Sequence, residues 1–444
     1  MGPDLLYHAR RSRFAFLRAA LLAPVILSLS AAYALADSYE SNNSVLAPKS
    51  EFALLPASTD SSADLPPGTR PFGPFLLFTA LNLSEKYDDN ILAQESGAKS
   101  DFITEIQPNV GLQKNFGPHS IAVDASATFQ HFVKYQDENT TDYRVRSSGN
   151  FEAYRSLNIP FSVSFTHDHK DRFNRRLSSV TKNPMEFETT DAMTGFILKP
   201  NRLELRVIGT YTQQRYENGT FLLSGLPSIH EDADNNELQF KTTLSYEGGA
   251  GWAPYLEGTY TEQEYLKNAY TNGSFSGPKR DNHLIRMHAG TRYSYHDVFS
   301  GFFGLGWEKR NYKDPSLKAV SAFSGEMGLM FRPTERLDIQ ADLARTTKED
   351  NILQAGSKNL SSNLTASYEL DQDLFLHLQG GLLQRDFQDS SRKDNEYGES
   401  LLLEYLLAPR LKLGAGVELK QTNSNVTGFS YDDAQFIIRA TSSL

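Results

Sequence analysis

The sequence predicts an all-β chain closed into a transmembrane, antiparallel, up-and-down β-barrel of about 18 strands. Three observations carry this. From about Phe75 onward, segments of 12 to 16 residues alternate apolar and polar side chains, about twice the ~5–6 residues of a soluble strand. The connections alternate between tight turns and long, charged loops. Aromatic residues gather near both ends of the segments.

Composition sets the bounds. The 444 residues are 39% hydrophobic, 22% charged and 11% aromatic, with a formal net charge of −10. A mean hydropathy of −0.46 excludes a polytopic helical membrane protein, which needs several apolar runs of ~20 residues. Cysteine is absent, excluding disulfide scaffolds, thiolate metal sites and cysteine nucleophiles. The acidic balance argues against nucleic acid as a partner, because phosphate affinity rests on Lys and Arg. The aromatic set is 28 Phe and 21 Tyr against 2 Trp.

Residues 1–36 read as a signal peptide: Arg10, Arg11, Arg13 and Arg18 precede an uncharged run ending Ala34-Leu35-Ala36, a small-residue cleavage pattern. An uncleaved membrane anchor is the alternative. Residues 37–72, rich in Ser, Asp, Ala and Pro, bury too little apolar surface to offset their ordering entropy and read as a flexible periplasmic linker. The barrel is expected over 73–444.

The candidate strands run, in order, near 75–88, 101–115, 119–135, 140–155, 157–170, 185–199, 202–216, 235–247 and 252–266. They continue near 280–296, 298–312, 319–331, 335–347, 358–370, 373–387, 395–408, 410–422 and 431–442. The segment 411–420 shows the pattern best: Leu411, Leu413, Ala415, Val417 and Leu419 share one face, and Lys412, Gly414, Gly416, Glu418 and Lys420 the other, since strand side chains alternate sides. The segments 75–88, 185–199 and 373–387 alternate poorly, leaving sixteen strands as the other count. Turns such as Gly117-Pro118, Pro200-Asn201 and Ala408-Pro409 alternate with loops such as 168–186 and 215–235. Short turns on one side and long loops on the other describe an outer-membrane barrel. Tyr246, Trp252, Tyr255, Tyr293, Phe331, Tyr368 and Tyr405 near the turns, with Tyr87, Tyr135, Tyr143, Phe187, Tyr260, Tyr265, Tyr312 and Tyr397 toward the loops, are expected in two interfacial girdles.

The passage Pro67-Gly68-Thr69-Arg70-Pro71-Phe72-Gly73-Pro74-Phe75, leading to Tyr87-Asp88-Asp89-Asn90-Ile91, resembles the opening strand of a bacterial family of outer-membrane β-barrel porins, many associated with exopolysaccharide gene clusters. The resemblance implies an outer-membrane channel, and as cargo a secreted polysaccharide. It also implies periplasmic polysaccharide-export proteins as partners, beside outer-membrane lipid and the barrel assembly machinery. A small solute passing a diffusion porin is the rival reading, and an outer-membrane hydrolase acting on lipid or surface polymer is a third. The chain ends in Leu444, where such barrels usually end in an aromatic residue.

No HExxH, Walker or nucleophile-elbow pattern occurs, so no catalytic group, cofactor or metal is expected; His167-Asp168-His169 reads as loop surface. With apolar faces toward lipid, the expected pore-lining residues are Arg144, Arg146, Glu204, Arg206, Arg286, His288, Arg292, Glu326, Asp338, Lys412, Glu418 and Arg439. Arg286, His288 and Arg292 form the strongest local row and would favour anionic solute groups. The alternative is that these charges pair across strands and brace the wall.

Overall fold

The computed structural model describes residues 69–443, apart from 171, 173–180, 222–223, 297, 350–355 and 389. The expected signal peptide, most of the linker, much of loop 168–186 and Leu444 lie outside the described residues.

The alternating segments become eighteen long strands of 12 to 16 residues. They are β1 (Phe75–Asp88), β2 (Asp101–Phe116), β3 (His119–Phe132), β4 (Thr140–Tyr154), β5 (Leu157–Lys170), β6 (Met185–Leu198), β7 (Leu203–Tyr216), β8 (Asn235–Tyr246) and β9 (Trp252–Tyr265). The second half comprises β10 (Asn282–Tyr295), β11 (Phe299–Tyr312), β12 (Val320–Thr334), β13 (Leu337–Lys348), β14 (Ser357–Asp371), β15 (Leu374–Phe387), β16 (Lys393–Ala408), β17 (Leu411–Ser424) and β18 (Tyr431–Ser443). Each pairs antiparallel with the next. The barrel closes where β18 pairs with β1, from Ala80↔Ser443 to Asp88↔Gln435. The three poorly alternating segments are strands, so the count is eighteen and not sixteen.

Turns of two to five residues alternate with connections of up to eighteen. Because the first connection is a long one, the start of β1 and the end of β18 lie on the short-turn side. The end of the expected linker is ordered: Thr69–Phe72 is a short strand that folds back on Phe75–Phe78. The reversal is made at Gly73, whose φ of 59° suits a residue without Cβ.

The outer face carries the apolar members of each strand, among them Leu256, Met287, Phe323, Phe436 and Ile438, each more than half exposed. Such a band is stable only when lipid covers it. The inner face collects the polar alternates, so the described residues form no conventional apolar core. Among the described residues, a buried apolar cluster of Ile91, Leu92, Ile103 and Phe132 forms where the β1–β2 loop folds onto the inner face of β2 and β3.

The aromatic girdles need a correction. Tyr246, Trp252, Tyr260, Tyr368 and Tyr405 are exposed on the outer face, as expected. Tyr255, Tyr265 and Phe187, at 5%, 4% and 2% exposed, are not. Tyr255 and Tyr265 share inward parity with buried Thr259 and Thr261 on β9. Tyr312 likewise shares the inward parity of Glu308 and Arg310 on β11. A tyrosine alone does not reveal parity; its neighbours do.

Candidate functional site

The inner wall is the candidate site, and strand parity builds it. On β10, Ile285 and Met287 are exposed outward while His288 is buried; on β18, Phe436 and Ile438 point out while Asp433 and Gln435 are buried. By the same rule Arg144, Arg146, Glu204, Arg206, Arg286, His288, Arg292, Glu326, Asp338, Lys412, Glu418 and Arg439 all stand on the inner face of their strands.

Most of them are paired along the wall. Arg286 Nε donates to Glu308 at 2.7 Å, and the carboxylate, which has no exposed surface, also accepts the backbone N–H of Thr347. His288 Nε2 and Ser324 Oγ share a hydrogen bond of 2.8 Å, with Glu326 3.5 Å from Nδ1. That contact spans two strands because His288, Gly306 and Ser324 lie in one register row. A Cβ on Gly306 would sit 2.4 Å from the imidazole. Tyr255 uses the same device one row below, crossing Gly290 and Gly304, where a Cβ would meet its ring and hydroxyl at 2.7 and 2.3 Å.

Other pairs repeat the theme. Arg439 and His377 converge on buried Glu404 at 2.8 and 3.0 Å. Lys420 pairs with Glu418 at 2.8 Å, Arg206 with Glu204 at 3.1 Å, and Arg332 with Asp338 at 2.6 Å. Lys241 pairs with Glu257 at 3.2 Å and Lys86 with Glu105 at 2.8 Å.

The expected anion-attracting row is therefore divided. Arg286 and His288 brace the wall. Arg292 makes no ion pair among the described residues and lies over the Tyr255 ring at 5.1 Å. It borders a recess of about 740 Å³ near the short turns, with Ser300, Phe302, Gln340 and Asp342. Arg144 and Arg146 also make no ion pair within 4.0 Å among the described residues; Asp124 lies opposite Arg146 in the register.

Sequence reasoning missed Glu308, Glu404, Glu257 and His377. All four occupy inward parity, so the signal was present. What was lacking was the cross-strand register that makes them partners.

At the loop end the bore is narrowed. Ile91, Leu92 and Ala93 are buried on inward-facing Ile103 and Phe132. On the other side, Arg280 is 3% exposed, stacks on Tyr265 at 4.2 Å and approaches Glu349 at 4.0 Å. The Tyr312 hydroxyl donates to the same Glu349 at 2.5 Å. Asp232 in loop 217–234 accepts the backbone N–H of Tyr270 at 3.2 Å, joining two loops. Carboxylate shifts here follow burial or a hydrogen bond. Glu138 is raised above the ordinary carboxylate range by burial, although Arg172 bonds it at 2.7 Å. Asp234 is also raised by burial, while exposed Glu231 is lowered by its bond from Lys267.

His167-Asp168-His169 is not loop surface: it lies within β5 with side chains only 13–16% exposed, and its members separate. His169 bonds Asp142 at 2.9 Å, whereas His167 stacks on Tyr143 at 5.1 Å. The Ser324–His288–Glu326 order has the residue types of a nucleophile, base and orienting acid. Ser324, however, has no exposed surface, so no substrate carbonyl reaches its Oγ within the approach that acyl transfer needs.

A barrel closed by eighteen strands, oily outside and polar within, is the form of a bacterial outer-membrane channel. The model of the bacterial family described as "Putative beta-barrel porin 2" matches residues 66–443. The chain belongs to this porin family. It is accordingly a porin-like channel protein of the bacterial outer membrane. Among solved structures the porin is similar to the ferric enterobactin receptor PfeA of Pseudomonas aeruginosa, at 9% identity and a TM-score of 0.45 over 82% of this chain and 80% of that one. It is also similar to the siderophore receptor PirA of Acinetobacter baumannii, at 7% identity and a TM-score of 0.44 over 82% and 80%. A fibrinogen-binding protein of Staphylococcus epidermidis is 22% identical over 197 residues, 40% of this chain but 18% of that protein's length.

Proposed function

We propose that this porin is a passive outer-membrane conduit for a secreted polysaccharide. The observation that carries the reading is the pairing of charge along the inner wall. Arg286–Glu308, Lys241–Glu257, Lys86–Glu105 and Arg439–Glu404 each cancel locally. Between them stand hydroxyls and amides such as Asn82, Gln107, Thr128 and Gln130. A wall of this kind offers many weak, exchangeable hydrogen bonds and little net field. That suits a long hydrated polymer that must slide without being held. The family resemblance of the opening strand supports the same cargo, with periplasmic polysaccharide-export proteins as partners.

The buried loop residues Ile91 and Leu92 favour a second reading, a diffusion porin for small solutes, because a narrowed mouth sieves by size. Deleting the gene in its host separates the two. Loss of surface polymer with unchanged uptake of small sugars supports the conduit. Unchanged polymer with slowed sugar uptake supports the diffusion porin and refutes the conduit.

A further inference from the structure

We propose that the seam of the barrel holds a hard divalent cation, Ca²⁺, between Asp88, Asp89 and Asp433 at the loop end. Carboxylate oxygens of the three lie within 4.8 Å of one another. They belong to opposite ends of the chain, the first two at the end of β1 and the third near the start of β18.

The local contacts leave one oxygen without a role. Asp88 Oδ1 accepts the Asn90 N–H at 2.7 Å, and Asp89 Oδ1 accepts the Ala434 N–H at 3.0 Å. The Gln435 amide is shared between Asp88 Oδ2 and Asp433 Oδ2, at 3.0 and 3.1 Å. Asp433 has no exposed surface, and its Oδ1 accepts no hydrogen bond. A buried carboxylate oxygen is retained in a fold when something satisfies it. A neutral amide shared by two carboxylates does not cancel their charge.

The groups facing the cluster cancel only part of its charge. Lys420 on β17 stands opposite Asp433 in the register and its charge acts on both Asp88 and Asp433, while the same ammonium also pairs with Glu418 at 2.8 Å. Asp432 points its carboxylate to Gln421, and Glu95 bonds the Gly428 N–H. Three carboxylates thus meet one ammonium already shared with a fourth. The donors are all oxygens, which selects a hard cation over zinc or copper. Ca²⁺ takes six to eight oxygens in flexible geometry, and partly exposed Asp89 leaves room for water among them. An ion here would join the first and last strands, residues 345 apart in sequence, and lock the seam on which closure depends.

The test uses the full barrel refolded into detergent free of lipopolysaccharide, which binds Ca²⁺ itself. After treatment with EDTA, CaCl₂ is titrated calorimetrically, and the unfolding temperature is followed by circular dichroism at each concentration. The proposal expects one saturable Ca²⁺ per chain and an unfolding temperature that rises with log[Ca²⁺] above the dissociation constant. Asp433→Asn should weaken binding at least tenfold, and so should Asp89→Asn at its partly exposed position, each variant first shown to be folded by circular dichroism. No saturable binding by the wild-type chain overturns the proposal. So does binding unchanged in both variants, or an unfolding temperature that answers to pH but not to Ca²⁺, the mark of a proton shared by Asp88 and Asp433.

Discussion

Replacing Glu308 by alanine distinguishes a bracing charge from a charge offered to solute. The Glu308 carboxylate has no exposed surface and holds two donors, Arg286 at 2.7 Å and the backbone N–H of Thr347. Glu308→Ala leaves the Arg286 guanidinium unpaired beside β11. Breaking a buried pair costs about 3–5 kcal/mol; the Arg286 side chain keeps 21% exposure to the bore, so about 3 applies. The abandoned Thr347 N–H adds about 1–3 kcal/mol. Together the variant should lose roughly 4–6 kcal/mol. The double variant Arg286→Met, Glu308→Leu removes both charges and should recover about 3 kcal/mol of this. Urea unfolding of the refolded barrel, followed by the fluorescence of Trp307 beside Glu308, measures both. A loss below about 1 kcal/mol in Glu308→Ala, or a double variant no more stable than the single one, would refute the bracing role.

Further predictions follow from the same wall. Gly306→Ala places a Cβ 1.7 Å from the Met287 backbone oxygen as well as 2.4 Å from His288 and should cost about 3 kcal/mol through overpacking; pairing it with His288→Ala should relieve only the smaller, imidazole part of that loss in the same urea assay, because the backbone contact stays. Arg292→Glu should move ion selectivity toward cations in reversal-potential measurements, whereas Arg286→Met should leave selectivity near wild type; equal shifts from both would contradict the division of the row. Glu138 predicts a pH dependence. Its pKa is raised in the fold by burial, so the fold binds its proton more tightly than the unfolded chain does. Its contribution to stability is therefore present below the unfolded pKa and declines as pH rises through the folded one. Glu138→Gln should flatten that decline in thermal unfolding measured across the acid range.

The fold was legible because a membrane barrel writes its geometry into sequence with a period of two. The expected 75–88 and 157–170 match β1 and β5, and even the poorly alternating 373–387 differs from β15 by one residue. Parity placed the charged residues on the inner face for the same reason. Pairing was not legible, because it depends on register between strands. Nothing near His288 in the sequence says that Gly306 opens a path to Ser324. Tyr255 and Tyr265 misled because tyrosine suits both a lipid interface and a polar wall. The Tyr87-Asp88-Asp89-Asn90-Ile91 passage stood out as a family feature. Its physical use appears only when Asp88 and Asp89 meet Asp433 and Ala434 across the seam, and when Ile91 turns into the mouth.

The measurement that bears most directly on a water-filled polar bore is single-channel conductance across a planar bilayer. It should be run on the wild-type chain and on a variant with the 89–100 loop shortened, each first shown to be folded. The account predicts discrete open steps for the wild type and larger steps once the loop no longer narrows the mouth. Silence from both folded proteins would contradict it.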